Sequence, residues 1–322
     1  MDAIVVGSAN TDLIMHVDRL PAEGNTAVGG GFKSGPGGKG ANQAACLARL
    51  GVNTTLIARF GNDGFSSLLR EEIARLGVDL SSAVIDGERS GGIVFIILDK
   101  QGSNTMVADL GSNLFLDEDD ITRASKLFTN SRLLLLQLEV SDSANNRAAE
   151  YAREHGLKIV LNPAPMRPFD TSILKGTDII TPNMQELEAL LRNLKGKPMI
   201  GFEEKDPVKI AEAARELFAY GVREIVVTLG KRGSLLVKED FSLLFGTYRV
   251  NQVDATAAGD SFTAALAFMY ASSSDIAECI SFASAAAAIT ITRAGAVYSL
   301  PTLREVNEFV RKNTLTTSEY FS

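Results

Sequence analysis

Short, mainly apolar runs recur along this chain, each followed by a segment with helical spacing. Ile4–Gly7, Thr54–Phe60, Leu133–Leu138, Lys158–Leu161, Asp178–Ile180 and Glu224–Leu229 read as strands. Helices are expected near 39–50, 64–76, 143–155, 184–192 and 207–220. Strands apolar on both faces must be covered on both faces, and strands alternating with helices join by right-handed crossovers. The pattern therefore predicts an α/β three-layer sandwich with a mostly parallel central sheet. Two places break the rhythm. Residues 12–34 and 83–109, the latter with turn pairs Asp86-Gly87 and Gln101-Gly102, read as short strands and hairpins. They are expected to leave one sheet edge and meet as a small β-sheet lid over an enclosed ligand, within a single domain spanning 1–322. Small residues at Ala283–Ile289 suit close helix packing, and the tail from Asn313 is expected to fray.

Several function classes are disfavoured by composition. The chain has 322 residues, is 45% hydrophobic and carries a net charge of −7, which argues against a nucleic-acid or anionic-membrane partner. It shows no run of the roughly 20 apolar residues that span a bilayer and no leader-like start, so a cytoplasmic protein is expected. Cys46 and Cys279 lie far apart in apolar helical patterns and read as small buried hydrophobes. With His16 and His155 the only histidines, no histidine zinc motif or Ser-His-Asp triad can be built, and proton transfer falls to carboxylates.

Four stretches carry the chemistry. Lys33–Gln43, KSGPGGKGANQ, contains G-x-G-x-x-G at Gly35, Gly37 and Gly40, but no buried first strand precedes it as a dinucleotide fold requires. Gly40 follows Lys39 where a Walker loop needs Ser or Thr. A helix N-terminus with exposed amides, Lys39 and Asn42 facing a polar ligand remains, beside the plainer reading of a tight turn. In Gly7–Asp12, GSANTD, the pair Asn10 and Asp12 points to one face of an extended chain and can grip adjacent hydroxyls, although both are common turn residues. In Ile180–Glu186, ITPNMQE, Asn183 and Glu186 fit a capping box equally with a metal or phosphate role. Val253–Phe262, VDATAAGDSF, sets Asp254 and Asp260 around small residues at a helix start. The amides of Ala257, Ala258 and Gly259 would converge there on an anion, with the helix dipole behind them. That dipole favours an anionic Asp260 by about 0.3 to 1 kcal/mol.

In this order and spacing, these stretches resemble the ribokinase branch of the phosphofructokinase-B carbohydrate kinases from residue 3 to about 312. The likeness also includes Ala48-Arg49-Leu50-Gly51, Gln137-Leu138-Glu139, Asn162-Pro163-Ala164-Pro165, Thr181-Pro182-Asn183, Thr228-Leu229-Gly230 with Gly233, and Thr292-Arg293-Ala294-Gly295-Ala296 with Ser299. The resemblance implies ATP-dependent phosphorylation of a sugar, most closely D-ribose at its 5-hydroxyl. Asp260 would act as base, with the backbone anion hole at Ala257, Ala258 and Gly259. The sugar would meet Asn10, Asp12, Gly38, Lys39, Asn42, Glu139 and Asp260. The nucleotide would meet Asn183, Thr228, Gly230, Gly233 and Gly259. Glu186 would organise Mg²⁺, and Asp254, the backbone carbonyls of Thr256, Thr290, Arg293 and Gly295, and the Ser299 hydroxyl would form a K⁺ site.

The family often reads Asp-Thr-x-Gly-Ala-Gly-Asp, where this chain has Ala255 for the Thr and Ala257 for the first Gly. Ala255 lacks the hydroxyl, and Ala257 serves if its amide is the working part. The alternatives are another sugar or nucleoside kinase of the family, a nucleotide-dependent oxidoreductase resting on the Gly35 motif, and a sugar sensor without turnover. A polyhydroxylated ring suits Asn10, Asp12, Asn42 and Glu139 better than a nucleoside, which would want an aromatic stacking partner. A homodimer through the lid is expected.

Overall fold

The computed structural model describes residues 1–100, 104–195, 206–272, 275–315 and 318–321. In chain order its strands are β1 (Asp2–Val6), β2 (Asn10–His16), β3 (Gly30–Gly37), β4 (Asn53–Ile57), β5 (Arg59–Gly61), β6 (Val78–Asp79), β7 (Val84–Asp86), β8 (Gly92–Leu98), β9 (Asn104–Asp109), β10 (Leu133–Leu136), β11 (Lys158–Leu161), β12 (Ile179–Ile180), β13 (Glu224–Thr228), β14 (Ser234–Val237), β15 (Ser242–Phe245) and β16 (Ser318–Phe321). The helices are α1 (Lys39–Arg49), α2 (Gly64–Arg75), α3 (Glu118–Arg123), α4 (Asp142–His155), α5 (Met184–Lys195), α6 (Pro207–Arg215), α7 (Ala258–Ala271), α8 (Ile276–Thr290) and α9 (Leu303–Lys312).

The large sheet runs β16-β15-β14-β13-β12-β11-β10-β1-β4-β6. From β6 to β13 every pairing is parallel, as the apolar alternation predicted. The last three strands add an antiparallel edge. Alternate residues of β1 feed two cores. Ala3 and Val5 pack with Ala44 of α1, Ala265 of α7 and Ala286 of α8. Ile4 and Val6 pack on the opposite face with Ala148 of α4, Leu187 of α5 and Ile210 of α6. Each fully buried large aliphatic side chain contributes about 1.5 to 3 kcal/mol relative to exposure, so β1 serves as the central plank of both layers. A second sheet, β3-β2-β8-β9, is small and mixed, with β2 and β8 parallel and the outer pairs antiparallel.

Four expectations need correction. The strand expected over 54–60 divides at Ala58, and β5 leaves the large sheet to pair with β7. Arg59 explains the break, because its guanidinium donates to Asp86 and Asp120 at 2.9 Å each and cannot lie within a sheet packed on both faces. β7 accordingly belongs to this separate pair and not to the small sheet. The helix expected to reach 220 ends at Arg215 and tightens into a 3-10 turn over Glu216–Tyr220, closed by left-handed Gly221. The tail does not simply fray, since Ser318–Phe321 adds a strand beside β15. The expected turn at Gln101-Gly102 lies outside the described residues.

One close approach positions the site. A Cβ on Gly40 would stand 2.6 Å from the Gly7 carbonyl carbon, and one on Gly7 would overlap the Gln137 side chain. Only glycine lets the start of α1 touch the exit of β1, and the Ala41 amide seals the contact by donating to the Ser8 carbonyl at 2.9 Å. Gly38, which leads into α1, is thereby held against the Asn10 backbone.

Candidate active site

Helix α7 starts abruptly. Its N-cap, Ala257, sits in the left-handed region at φ 60°, the only non-glycine residue at positive φ among the described residues. An L-residue there carries about 1 to 2 kcal/mol of strain. The Ser261 amide donates to the Ala257 carbonyl at 2.8 Å, and the Ala258 amide turns back to the Ala255 carbonyl at 3.2 Å. Of the three amides expected to face an anion, that of Ala258 is thus already shared, while those of Ala257 and Gly259 have no partner within the helix by its geometry.

Asp260 follows in the first turn and is buried. An ionised carboxylate removed from water needs donors, and α1 supplies them. Asn42 Nδ2 donates to Oδ2 at 2.8 Å and Gln43 Nε2 to Oδ1 at 3.2 Å. Gln43 is fixed in turn, since Gln137 Nε2 donates to its Oε1 at 2.7 Å.

On the other side of Lys39 stands Glu139, which accepts from the Lys39 amide at 3.0 Å and from the Ser8 hydroxyl. Burial lowers the affinity of the Lys39 ammonium for its proton, but Asp260, Glu139 and Glu186 outweigh it, and the pKa ends above its ordinary value. Asn10 and Asp12 lie two apart on β2, with the Asp12 carboxylate against Gly37, where a Cβ would overlap it. Burial first, then the charges of Glu139 and Asp260, pushes the Asp12 carboxyl up to about 7. Gly38, at φ 88°, leads into α1 with no room for a Cβ beside the Asn10 amide.

Two cavities meet at the head of α7. A polar one of about 250 Å³ is lined by Lys39, Asn183, Glu186 and residues Ala257 to Asp260. A larger one of about 710 Å³ is lined by Thr228, Gly230, Gly233, the 247–252 segment, Phe262 and the small residues Ser284, Ala287 and Ala288 of α8. Thr228, Ala255, Ala258 and Gly259 belong to both. Asn183 and Glu186 form a reciprocal cap, Glu186 N to Asn183 Oδ1 and Asn183 N to Glu186 Oε2, both 2.8 Å. Burial nevertheless raises the Glu186 pKa, against the lowering effects of the Asn183 amide and Lys39. The arrangement joins an anion-accepting helix start and a buried carboxylate to a polar ligand face on one side and a roomy, largely apolar hollow on the other.

Residues 2–303 match the family described as pfkB family carbohydrate kinase. The chain belongs to the pfkB family of carbohydrate kinases. It is 33% identical to a deoxyribokinase of Salmonella typhi over 314 residues, covering 97% of this chain and all of that protein. It is likewise 33% identical to a ribokinase of Staphylococcus aureus (strain COL) over 307 residues, 95% of this chain and 98% of the relative. Among solved structures it resembles the Arabidopsis thaliana ribokinase complexed with ribose and ATP, with a TM-score of 0.83 and 32% identity over 95% of this chain and 97% of that one.

In this pfkB-family kinase the loop expected to carry the cation is tied together by Asp254. Asp254 accepts from the Thr256 amide and hydroxyl at 2.9 and 2.7 Å and from the Gly295 amide at 3.0 Å. Although burial opposes it, these donors hold the Asp254 pKa below its ordinary value. Of the side chains nearby, the Thr290 hydroxyl reaches Ser261, the Arg293 guanidinium pairs with Glu305 at 2.5 Å, and the Ser299 hydroxyl donates to the Ala296 carbonyl at 2.7 Å while keeping its own lone pairs. Asp254 is the anion of this loop, and with carbonyl and hydroxyl oxygens it would make an all-oxygen donor set of the kind hard cations take. For a divalent ion, no cluster of three His, Cys, Asp or Glu occurs among the described residues. Glu186, which shares the polar hollow with Asp260, fits Mg²⁺ taken up with a nucleotide, since Mg²⁺ commonly uses one or two carboxylates plus substrate phosphates.

Sequence reasoning passed over Ser8, Gln43, Gln137 and Asn113 as site residues. Gln43 and Gln137 stood inside quoted motifs and Ser8 beside Asn10, but buried amides at sheet ends carry no signal until their partners are known. No described helix is long and apolar enough to cross a membrane.

Proposed function

We propose that this kinase transfers the γ-phosphoryl group of ATP to the 5-hydroxyl of D-ribose. The observation that carries this reading is the meeting of the two cavities at the head of α7, with Asp260 buried beside the junction. The larger hollow would take the nucleotide through Thr228, Gly230, Gly233 and Gly259. The sugar would lie against Asn10, Asp12, the Gly38 amide, Lys39, Asn42 and Glu139. The sugar oxygen bonds to the γ-phosphorus, the bond to the β-phosphate's bridging oxygen breaks, and ADP departs. Asp260, oriented by Asn42 and Gln43, takes the hydroxyl proton late, and the amides at 257–259 with Lys39 neutralise charge on the moving group. Mg²⁺ held by Glu186 and the nucleotide's phosphates would supply further neutralisation, and Asp254 with the carbonyls of Thr256, Thr290, Arg293 and Gly295 and the Ser299 hydroxyl would hold K⁺ behind the loop. The ribose and ATP complex of the Arabidopsis relative supports this choice of substrates. The equally similar Salmonella deoxyribokinase favours 2-deoxyribose as the second reading. We also infer a homodimer through the small sheet, which exposes Phe32, Phe95, Met106 and Val107.

An ADP-release screen over ribose, 2-deoxyribose, fructose and nucleosides decides the substrate. Run with K⁺ or Na⁺ as the only monovalent cation, it is expected to be fastest with ribose in K⁺, and equal rates in both salts would count against the cation support. Asp260→Asn should lower kcat by about 10²-fold or more while sugar binding persists. Turnover near that of the wild type would overturn the assignment of the base.

A further inference from the structure

Asn113 is a buried amide that the proposed sugar contacts leave unexplained. It lies in the 3-10 turn Gly111–Phe115, just after β9, and none of its surface is exposed. Its Oδ1 accepts from the Ala9 amide at 2.9 Å. Its Nδ2 donates to Asn10 Oδ1 at 2.9 Å, to the Leu110 carbonyl at 2.8 Å and to the Ala9 carbonyl at 3.2 Å.

The sense of these bonds follows from chemistry. A main-chain N–H can only donate and a main-chain carbonyl can only accept, so the oxygen of Asn113 must face Ala9 N and its nitrogen must face the two carbonyls. The Asn10 atom opposite that nitrogen must then be oxygen. The Asn10 amide nitrogen is therefore turned away from Asn113. Gly92 leaves room for the two amides to meet. It stands in register with Asn10 across the β2–β8 pair, and a Cβ there would overlap both Asn10 Oδ1 and Asn113 Nδ2.

We propose that Asn113 is a positioning residue that sets the hydrogen-bond polarity of the sugar site. By occupying the Asn10 oxygen it leaves Asn10 as a donor toward the ligand, which rests on the reading above that Asn10 meets the sugar. Asp12, two residues along the same face of β2, is an acceptor when ionised. A donor beside an acceptor selects a free hydroxyl, which accepts one bond and donates another. An ether oxygen satisfies only Asn10, and a methylene satisfies neither. Asn113 touches no ligand and acts through Asn10.

The test is a double-mutant cycle in the full chain, read by ADP release with ribose. Asn10→Ala and Asn113→Ala are each expected to raise the sugar KM roughly tenfold, the most a lost neutral hydrogen bond commonly costs. The ATP KM and kcat should change little. In the Asn10→Ala background, Asn113→Ala should raise the sugar KM no further. Additive effects on KM, or a loss of thermal stability with an unchanged sugar KM, would overturn the proposal. Gly92→Ala puts a methyl group against both amides and parts Asn10 from Asn113 without removing either side chain, and it should raise the sugar KM alone. If Asn113→Ala does not fold, an unchanged sugar KM in Gly92→Ala overturns the proposal by itself. A normal sugar KM in Asn10→Ala would instead overturn the sugar-site reading on which the proposal stands.

Discussion

Asp12 carries a carboxyl pushed up to about 7 by burial and by the neighbouring charges of Glu139 and Asp260. In the unfolded chain the same group titrates at 3.8, so across the interval between these values the folded state binds the proton more tightly. Its contribution to stability is complete below the unfolded value and is lost as the pH rises through about 7. Urea unfolding of the ligand-free protein should therefore give a wild type that weakens between the unfolded value of 3.8 and about 7 and levels off above it, and Asp12→Asn should lose much of that dependence. An identical pH slope in the variant would remove Asp12 as its source. The pair Asn10 and Asp12 was legible because two residues apart on extended chain means one face. Asn113 was not, since its partner Asn10 is 103 residues distant and only the pairing of β2 with β8 brings them together.

At the scale of elements, α7 shows local chemistry and fold in conflict. Its first turn needs a left-handed residue at position 257, and the chain supplies alanine. Ala257→Gly should raise stability by about 1 kcal/mol, strain relief outweighing the extra freedom gained by the unfolded chain. A lower melting temperature in the variant would show that the position is not strained. Small residues before Asp260 announced the helix start in the sequence, yet composition alone does not report a positive φ. Similar limits explain the other misses. Thr54–Phe60 reads as one strand until Arg59 is seen to need Asp86 and Asp120, and the antiparallel hairpin of β14 and β15 lacks the helical spacing that marked the parallel units.

For the molecule as a whole, the alternating apolar runs specified the parallel body of the sheet, because only strands buried on both faces need such sequences. The small sheet keeps an apolar surface, with Phe95 and Val107 more than half exposed. If two copies cover it, light scattering should find twice the chain mass, and Phe95→Glu with Val107→Glu should return it to one. A wild type of single-chain mass would exclude the dimer. The interior place of β1, between β10 and β4, also governs how the protein is born. β1 is translated before β10 and must wait for it before its second edge is filled, and Asn42 waits longer still for Asp260. A nascent chain can therefore hold the residues proposed to face the sugar on β2 and α1 but not Asp260, the proposed base, so on that reading catalysis begins only once α7 has emerged and docked on α1.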